Sequence, residues 1–177
     1  MRFAQLDRIT SLEPGVSITA VKSLCLSEEY LQDHFPRFPV MPGVLMLESL
    51  FQASTWLVRA THRFEHSTTV LRESKNIKFQ DFVQPGDQLK VVCEIKPKKD
   101  GDESPLTTLK VSGTVNGKVA VSGRLVLDSY NLADREEADP AIDKYMTHKF
   151  KLTFRQLCNQ LDRSNLLEML AQTASTS

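Results

Sequence analysis

Two side chains stand out for chemistry: His34, in a proline-rich loop, and Glu48, in a stretch where nearly every other residue is apolar or small. An imidazole titrates near neutrality, so His34 can both take and give a proton. An unpaired carboxylate buried in an apolar helix is disfavoured by roughly several kcal/mol, so Glu48 implies a use that offsets the cost. Gln52 lies one helical turn beyond Glu48 on the same face, where it can hydrogen-bond that carboxylate and hold its orientation. Gly43 opens the segment. At a helix start the backbone N–H groups lack intrahelical partners and carry the positive end of the dipole, which suits a developing oxyanion. Singly, each residue has a plainer reading: a loop histidine bonded to backbone, a buried acid paired with a cation, a glycine tolerated at a helix start.

The elements that must position these groups can be read from the surrounding text. Pro36, Pro39 and Pro42 fix φ and exclude a regular helix before Gly43. The apolar run that follows predicts a helix over 43–60, buried on all sides. Upstream, Glu13-Pro14-Gly15 marks a turn and Val16–Lys22 alternates as a half-buried strand does; Ser27–Leu31 reads as a short helical turn capped by Ser27. Downstream of His62–Thr68, strands are expected over Thr69–Phe79, Gln88–Pro97, Leu106–Asn116 and Lys118–Leu127. Pro85-Gly86-Asp87, Asp100-Gly101-Asp102 and the hairpin signal Asn116-Gly117 separate them. Long antiparallel strands with one buried helix make an α+β domain, here over 1–130. Residues 131–141 are polar and acidic, as a linker would be. Residues 142–177 then read as a helical C-terminal extension: Phe150, Phe154, Leu157, Cys158 and Leu161 fall at helical spacing, and Leu166, Leu167 and Leu170 continue after a break near Arg163-Ser164. Thr173–Ser177 should fray.

Composition excludes several classes. The 177 residues carry 22 basic and 22 acidic side chains, so the electrostatic footprint of a nucleic-acid binder is missing. The apolar segment 43–58 is too short to span a bilayer and is interrupted by Glu48, Gln52 and Ser54. The opening residues lack the apolar core of a secretory signal. Cys25, Cys93 and Cys158 are odd in number and form no CxxC pair, so reduced thiols in a cytoplasmic protein are expected, with neither disulfide nor zinc. His62 and His66, four apart, could share a helix face as metal ligands, but with no third ligand evident they read as a solvated helix end. His148 reads as surface and Cys93 as strand core. No nucleophile elbow, GxGxxG or Walker pattern occurs, so neither a metal nor a nucleotide or nicotinamide cofactor is expected.

At the His34–Gln52 segment the chain resembles the β-hydroxyacyl-acyl-carrier-protein dehydratases. Their pattern runs roughly His-Phe-Pro-Gly-x-Pro-Val-Met-Pro-Gly-Val-Leu, with a Glu and then a Gln further on. His34, Phe35, Pro36, Pro39 through Leu45, Glu48 and Gln52 stand at those places. Leu6–Ile9 with Glu13-Pro14-Gly15 resembles the family's opening strand and turn. Lys78-Phe79 with Val83–Leu89 resembles its Lys-Phe…Val-x-Pro-Gly-Asp-x-Leu segment. The match covers about 3–128. Arg37 stands where the family usually has Gly, Phe82 where it usually has Pro, and 131–177 has no counterpart in the pattern.

The resemblance implies the hotdog fold, an antiparallel sheet wrapped around a long central helix. It implies metal-free dehydration of (3R)-3-hydroxyacyl thioesters borne on acyl carrier protein to trans-2-enoyl products, in fatty acid or related lipid biosynthesis. His34 would remove the α-proton, Glu48 would protonate the leaving hydroxyl provided it is itself kept protonated or proton-sharing, and the Gly43 N–H would bind the thioester oxygen, with Gln52 supporting. In the family the His and the Glu that meet come from opposite subunits, which implies a homodimer, possibly a trimer of dimers. Phe35, Phe38, Phe79 and Phe82 are candidates for an acyl tunnel, and Arg37, Lys75, Lys78 and Arg124 for contacts to phosphopantetheine or an acidic carrier. The rivals are a hotdog thioesterase and a non-catalytic acyl-binding hotdog, the latter favoured by tail helices that no dehydratase needs; isomerisation of the enoyl product is a further possibility.

Overall fold

The computed structural model describes residues 3–98, 101, 103–135, 138–159 and 161. The strands β1 (Arg8–Glu13), β2 (Ser17–Ser23), β3 (Thr68–Phe79), β4 (Gln88–Ile95), β5 (Thr107–Val115) and β6 (Lys118–Tyr130) form one sheet in the order β1-β2-β4-β5-β6-β3. Every neighbouring pair is antiparallel. The β5–β6 hairpin turns at Asn116 and Gly117, with φ of 51° and 79°, the two left-handed residues that a type I′ turn requires. β3 follows the central helix in sequence yet crosses to the far edge, beside β6.

The helix α1 (Gly43–Thr61) lies across β2, β4, β5 and β6. Pro42 is its N-cap, and it ends where Arg63 and Phe64 enter the left-handed region at φ 52° and 60°. Leu50, Ala53 and Leu57 are fully buried in one core with Ile18, Leu89, Val91, Leu109 and Leu125. Cys93 sits in this core as expected; burial pushes its thiol up to about 12, and its S–H points at the Leu50 carbonyl at 3.6 Å. The architecture is the α+β sheet-around-helix arrangement. No described helix is long and apolar enough to cross a membrane.

Three expectations need correction. α1 is not buried on all sides: Val44 is 71% exposed, and Leu47, Glu48, Phe51 and Gln52 are only half-buried. These positions share one helical face that the sheet leaves uncovered. Ser27 caps nothing. The 3-10 turn spans Glu29–Gln32 behind Glu28, and the Ser27 hydroxyl donates to the Cys25 sulfur instead. The segment 131–141 carries structure: α2 (Leu132–Arg135) and the start of α3 (Pro140–Leu157), with Asp139 accepting from the Ala141 N–H at 2.8 Å and Pro140 in the first turn.

α3 is built into the core. Phe154 is fully buried, 5.8 Å from the Trp56 ring and 5.1 Å from Phe64. Asp143 accepts from the Leu132 and Ala133 N–H groups, tying α3 to α2. Arg135 and Arg72 both donate to Asp128, which holds its carboxyl below the usual range, Arg135 acting most strongly. Phe154→Ala is therefore expected to destabilise the whole domain by about 3–5 kcal/mol. Urea unfolding should show a lower midpoint at unchanged slope. The readings at Arg163-Ser164, Leu166, Leu167, Leu170 and Thr173–Ser177 lie outside the described residues.

Candidate active site

The His34 loop is doubled back on itself. His34 N–H donates to the Tyr30 carbonyl at 3.1 Å, Phe38 N–H to the Phe35 carbonyl at 2.8 Å, and Met41 N–H to the Val83 carbonyl at 2.9 Å. Phe35 takes a left-handed φ of 52° to make the bend, a conformation that costs a non-glycine residue about 1 kcal/mol or more. Buried Val40 and Met41 pin the end of the loop in the core. The His34 ring then lies 2.9 Å, at Nδ1, from the Val40 carbonyl. A carbonyl can only accept, so Nδ1 carries the proton and the neutral ring presents Nε2 as its basic nitrogen.

That ring faces a cavity of about 320 Å³, whose walls include Phe35, Gly43, Met46, Phe79, Gln80, Asp81 and Phe82. Gly43 is the first residue of α1, and neither it nor the Pro42 cap is followed by an acid in the first turn, so the dipole end meets the cavity uncompensated. A Cβ at Gly43 would lie 3.1 Å from the Phe79 ring. The glycine thus makes room for an aromatic wall. Phe38 does not line the cavity but packs edge-on against Phe82, ring centres 5.6 Å apart.

Glu48 and Gln52 are absent from these walls. The Gln52 amide donates to Glu48 Oε1 at 2.7 Å and to the Phe3 carbonyl at 2.9 Å, while its oxygen accepts from the Gln5 N–H at 2.8 Å. The N-terminal segment therefore clamps Gln52, and Gln52 orients Glu48. Glu48 Oε2 has no partner among the described residues, and Glu48 does not line the protomer's own His34 cavity. One chain thus supplies an imidazole beside a helix N-terminus at one place and an oriented carboxyl at another.

A FabA-like domain model matches residues 1–124. The 3-hydroxyacyl-[acyl-carrier-protein] dehydratase FabZ of Levilactobacillus brevis is 41% identical over 120 residues, covering 68% of this chain and 78% of that protein. The chain belongs to the FabZ-like dehydratase family. The FabZ of Ruminiclostridium cellulolyticum is 37% identical over 123 residues, 70% of this chain and 84% of that protein. The fold is correspondingly shared with the dehydratase heterocomplex ApeI:P of Xenorhabdus doucetiae, at a TM-score of 0.60, 15% identity and coverage of 74% and 86%. It is shared too with a hypothetical thioesterase from Streptococcus pneumoniae, at 0.53, 12% identity and coverage of 70% and 85%. This is the hotdog fold.

Within this FabZ-like chain, Met46, Gln80 and Asp81 are cavity residues that the sequence did not single out. Gln80 and Asp81 follow directly on the Lys78-Phe79 motif, which was the available signal. Arg37, Lys75, Lys78 and Arg124 are exposed, and Lys75 pairs with Glu73. The His62 and His66 rings lie 5.4 Å apart, tilted 59° to each other, and no group of three or more possible metal ligands occurs among the described residues.

Proposed function

We propose that the chain dehydrates (3R)-3-hydroxyacyl-[acyl-carrier-protein] to the trans-2-enoyl thioester in fatty acid biosynthesis, with His34, Glu48 and the Gly43 N–H as its working groups. The observation that carries the residue assignment is the shared cavity in which His34, its Nε2 free, faces the start of α1. With the thioester oxygen on the Gly43 N–H, the C2–H bond becomes acidic and its proton passes to His34 Nε2. The electron pair left on C2 forms the C2–C3 double bond as the C3–O bond breaks. A proton from Glu48 Oε2 joins the departing hydroxyl, which leaves as water. The proton on His34 returns to Glu48 through solvent to reset the site. Phe35, Phe79 and Phe82, with Phe38 behind them, provide the apolar wall that an acyl chain needs.

The carboxyl in each site is the partner's Glu48. Two features support a dimer: the uncovered face of α1, bearing Val44, Leu47, Glu48 and Phe51, and the open edge of β3 at the end of the sheet. A further trimer of dimers would be read by sedimentation. Three unpaired cysteines fit a cytoplasmic enzyme, which cell fractionation would check. The activity test uses matched substrates. A 3-hydroxyacyl carrier thioester should give rising enoyl absorbance without free thiol, and a saturated acyl thioester should give neither. Thiol release from the saturated substrate would favour a thioesterase, and binding without turnover of either would favour a silent acyl-binding protein.

A further inference from the structure

Glu48, Gln52, Thr55 and Arg59 recur at spacings of four, three and four, which sets them in one row along α1. Gln52, Thr55 and Arg59 line a second cavity of about 350 Å³, with Phe3, Phe51 and Trp56 as apolar walls. It shares no lining residue with the His34 cavity and lies further along the helix, beyond Glu48.

Gln52 and Thr69 are hydrogen-bonded, but two other polar side chains of this cavity are not. Thr55 Oγ1 and Arg59 Nε are buried without a hydrogen bond. Among the described residues, no carboxylate pairs with the Arg59 guanidinium. The guanidinium is nevertheless held in place, 3.5 Å from the centre of the Phe150 ring of α3 and 5.3 Å from that of Trp56. Stacking occupies its faces and leaves the N–H edge for an acceptor. Burial lowers its pKa to about 10, which keeps it charged at neutral pH. A sequestered cation held by a tail helix and lacking an anion is arranged for a negatively charged ligand.

We infer that this cavity receives the far end of the acyl chain, and that Arg59 with Thr55 binds a carboxylate carried there. The inference rests on the dehydratase reading. In that reading the phenylalanine walls hold the first carbons of the acyl chain, C3 sits at Glu48, and the chain beyond C3 leaves those walls and follows the row toward Arg59. The carrier's phosphate lies on the thioester side, near His34 and Gly43, so the row does not lead to it. The Arg59 Cα lies eleven residues from Glu48, roughly 16 Å along the axis, and its side chain leans back toward Glu48. Only a chain of medium length brings its end to the guanidinium. A methyl end there leaves buried donors unsatisfied, and that is the discrimination a polar pocket enforces best.

The test offers the full-length protein pairs of 3-hydroxyacyl carrier thioesters of equal length, ending in methyl or in carboxylate. At medium length the carboxylate-ended member should have at least tenfold higher kcat/KM, and the ratio should approach one for short chains. Arg59→Met should cut the medium-length ratio at least tenfold, each variant being normalised to its own methyl-ended substrate. A ratio near one at every length in the wild-type protein, with methyl-ended substrates turned over, overturns the inference and leaves the dehydratase reading standing. If no 3-hydroxyacyl thioester is turned over, or if the variant does not fold, melting of the wild-type protein decides. A medium-chain dicarboxylate should raise the melting temperature where the monocarboxylate of equal length does not; equal shifts, or none, refute the site.

Discussion

Replacing His34 by alanine is expected to lower turnover about 100- to 10,000-fold while the protein stays folded, the range for removing a positioned acid–base group. The ring is half exposed in its loop, and the substitution removes a single hydrogen bond, to the Val40 carbonyl. That loss is worth about 1 kcal/mol, against a core it does not touch. Enoyl absorbance and a melting curve on one sample check both halves. Activity at the wild-type level would end the assignment of His34 as base.

Glu48→Gln should be as damaging, because the amide keeps the bond to Gln52 but has no proton to give to a leaving hydroxyl. The two variants together test the composite site. Co-expressed in equal amounts, His34→Ala and Glu48→Gln protomers pair at random. Half of the dimers are mixed, and each mixed dimer keeps one site with both groups intact. Roughly a quarter of wild-type turnover should then return although each parent is silent. No recovery, with mixed dimers shown by mass spectrometry, would place His34 and Glu48 of a single protomer in the same site.

Much of this was legible in the chain. The hairpin at Asn116-Gly117, the alternating strands and the helix start after Pro42 each follow from local rules that tertiary packing did not overrule. Three of the four phenylalanines named as wall candidates, Phe35, Phe79 and Phe82, line the His34 cavity. What the text concealed was surface. Val44, Leu47 and Phe51 have the residue types of a core, so their exposure could not be told from burial without the sheet in place. Arg59 reads as an ordinary cation in the last turn of a helix, the position that favours one. Its sequestration depends on Phe150, ninety-one residues away. The acids of 131–141 suggest a linker when read as solvated charge, whereas Asp139 among them accepts from the Ala141 N–H and caps α3.

The placement of β3 bears on how the chain is made. Its register runs from Thr68 opposite Tyr130 to Phe79 opposite Val121, so the whole strand emerges from the ribosome long before β6, its neighbour in the described sheet, exists. At ordinary translation speed the delay is roughly several seconds. During that interval a twelve-residue strand has both edges bare, and at its start α1 still lacks β4, β5 and β6, three of the strands it packs against. Nascent protein at this stage is the form most open to capture by chaperones or by other growing copies of itself. Yield in a heterologous host should therefore respond to cooling and to slower synthesis more than to any change in the finished enzyme.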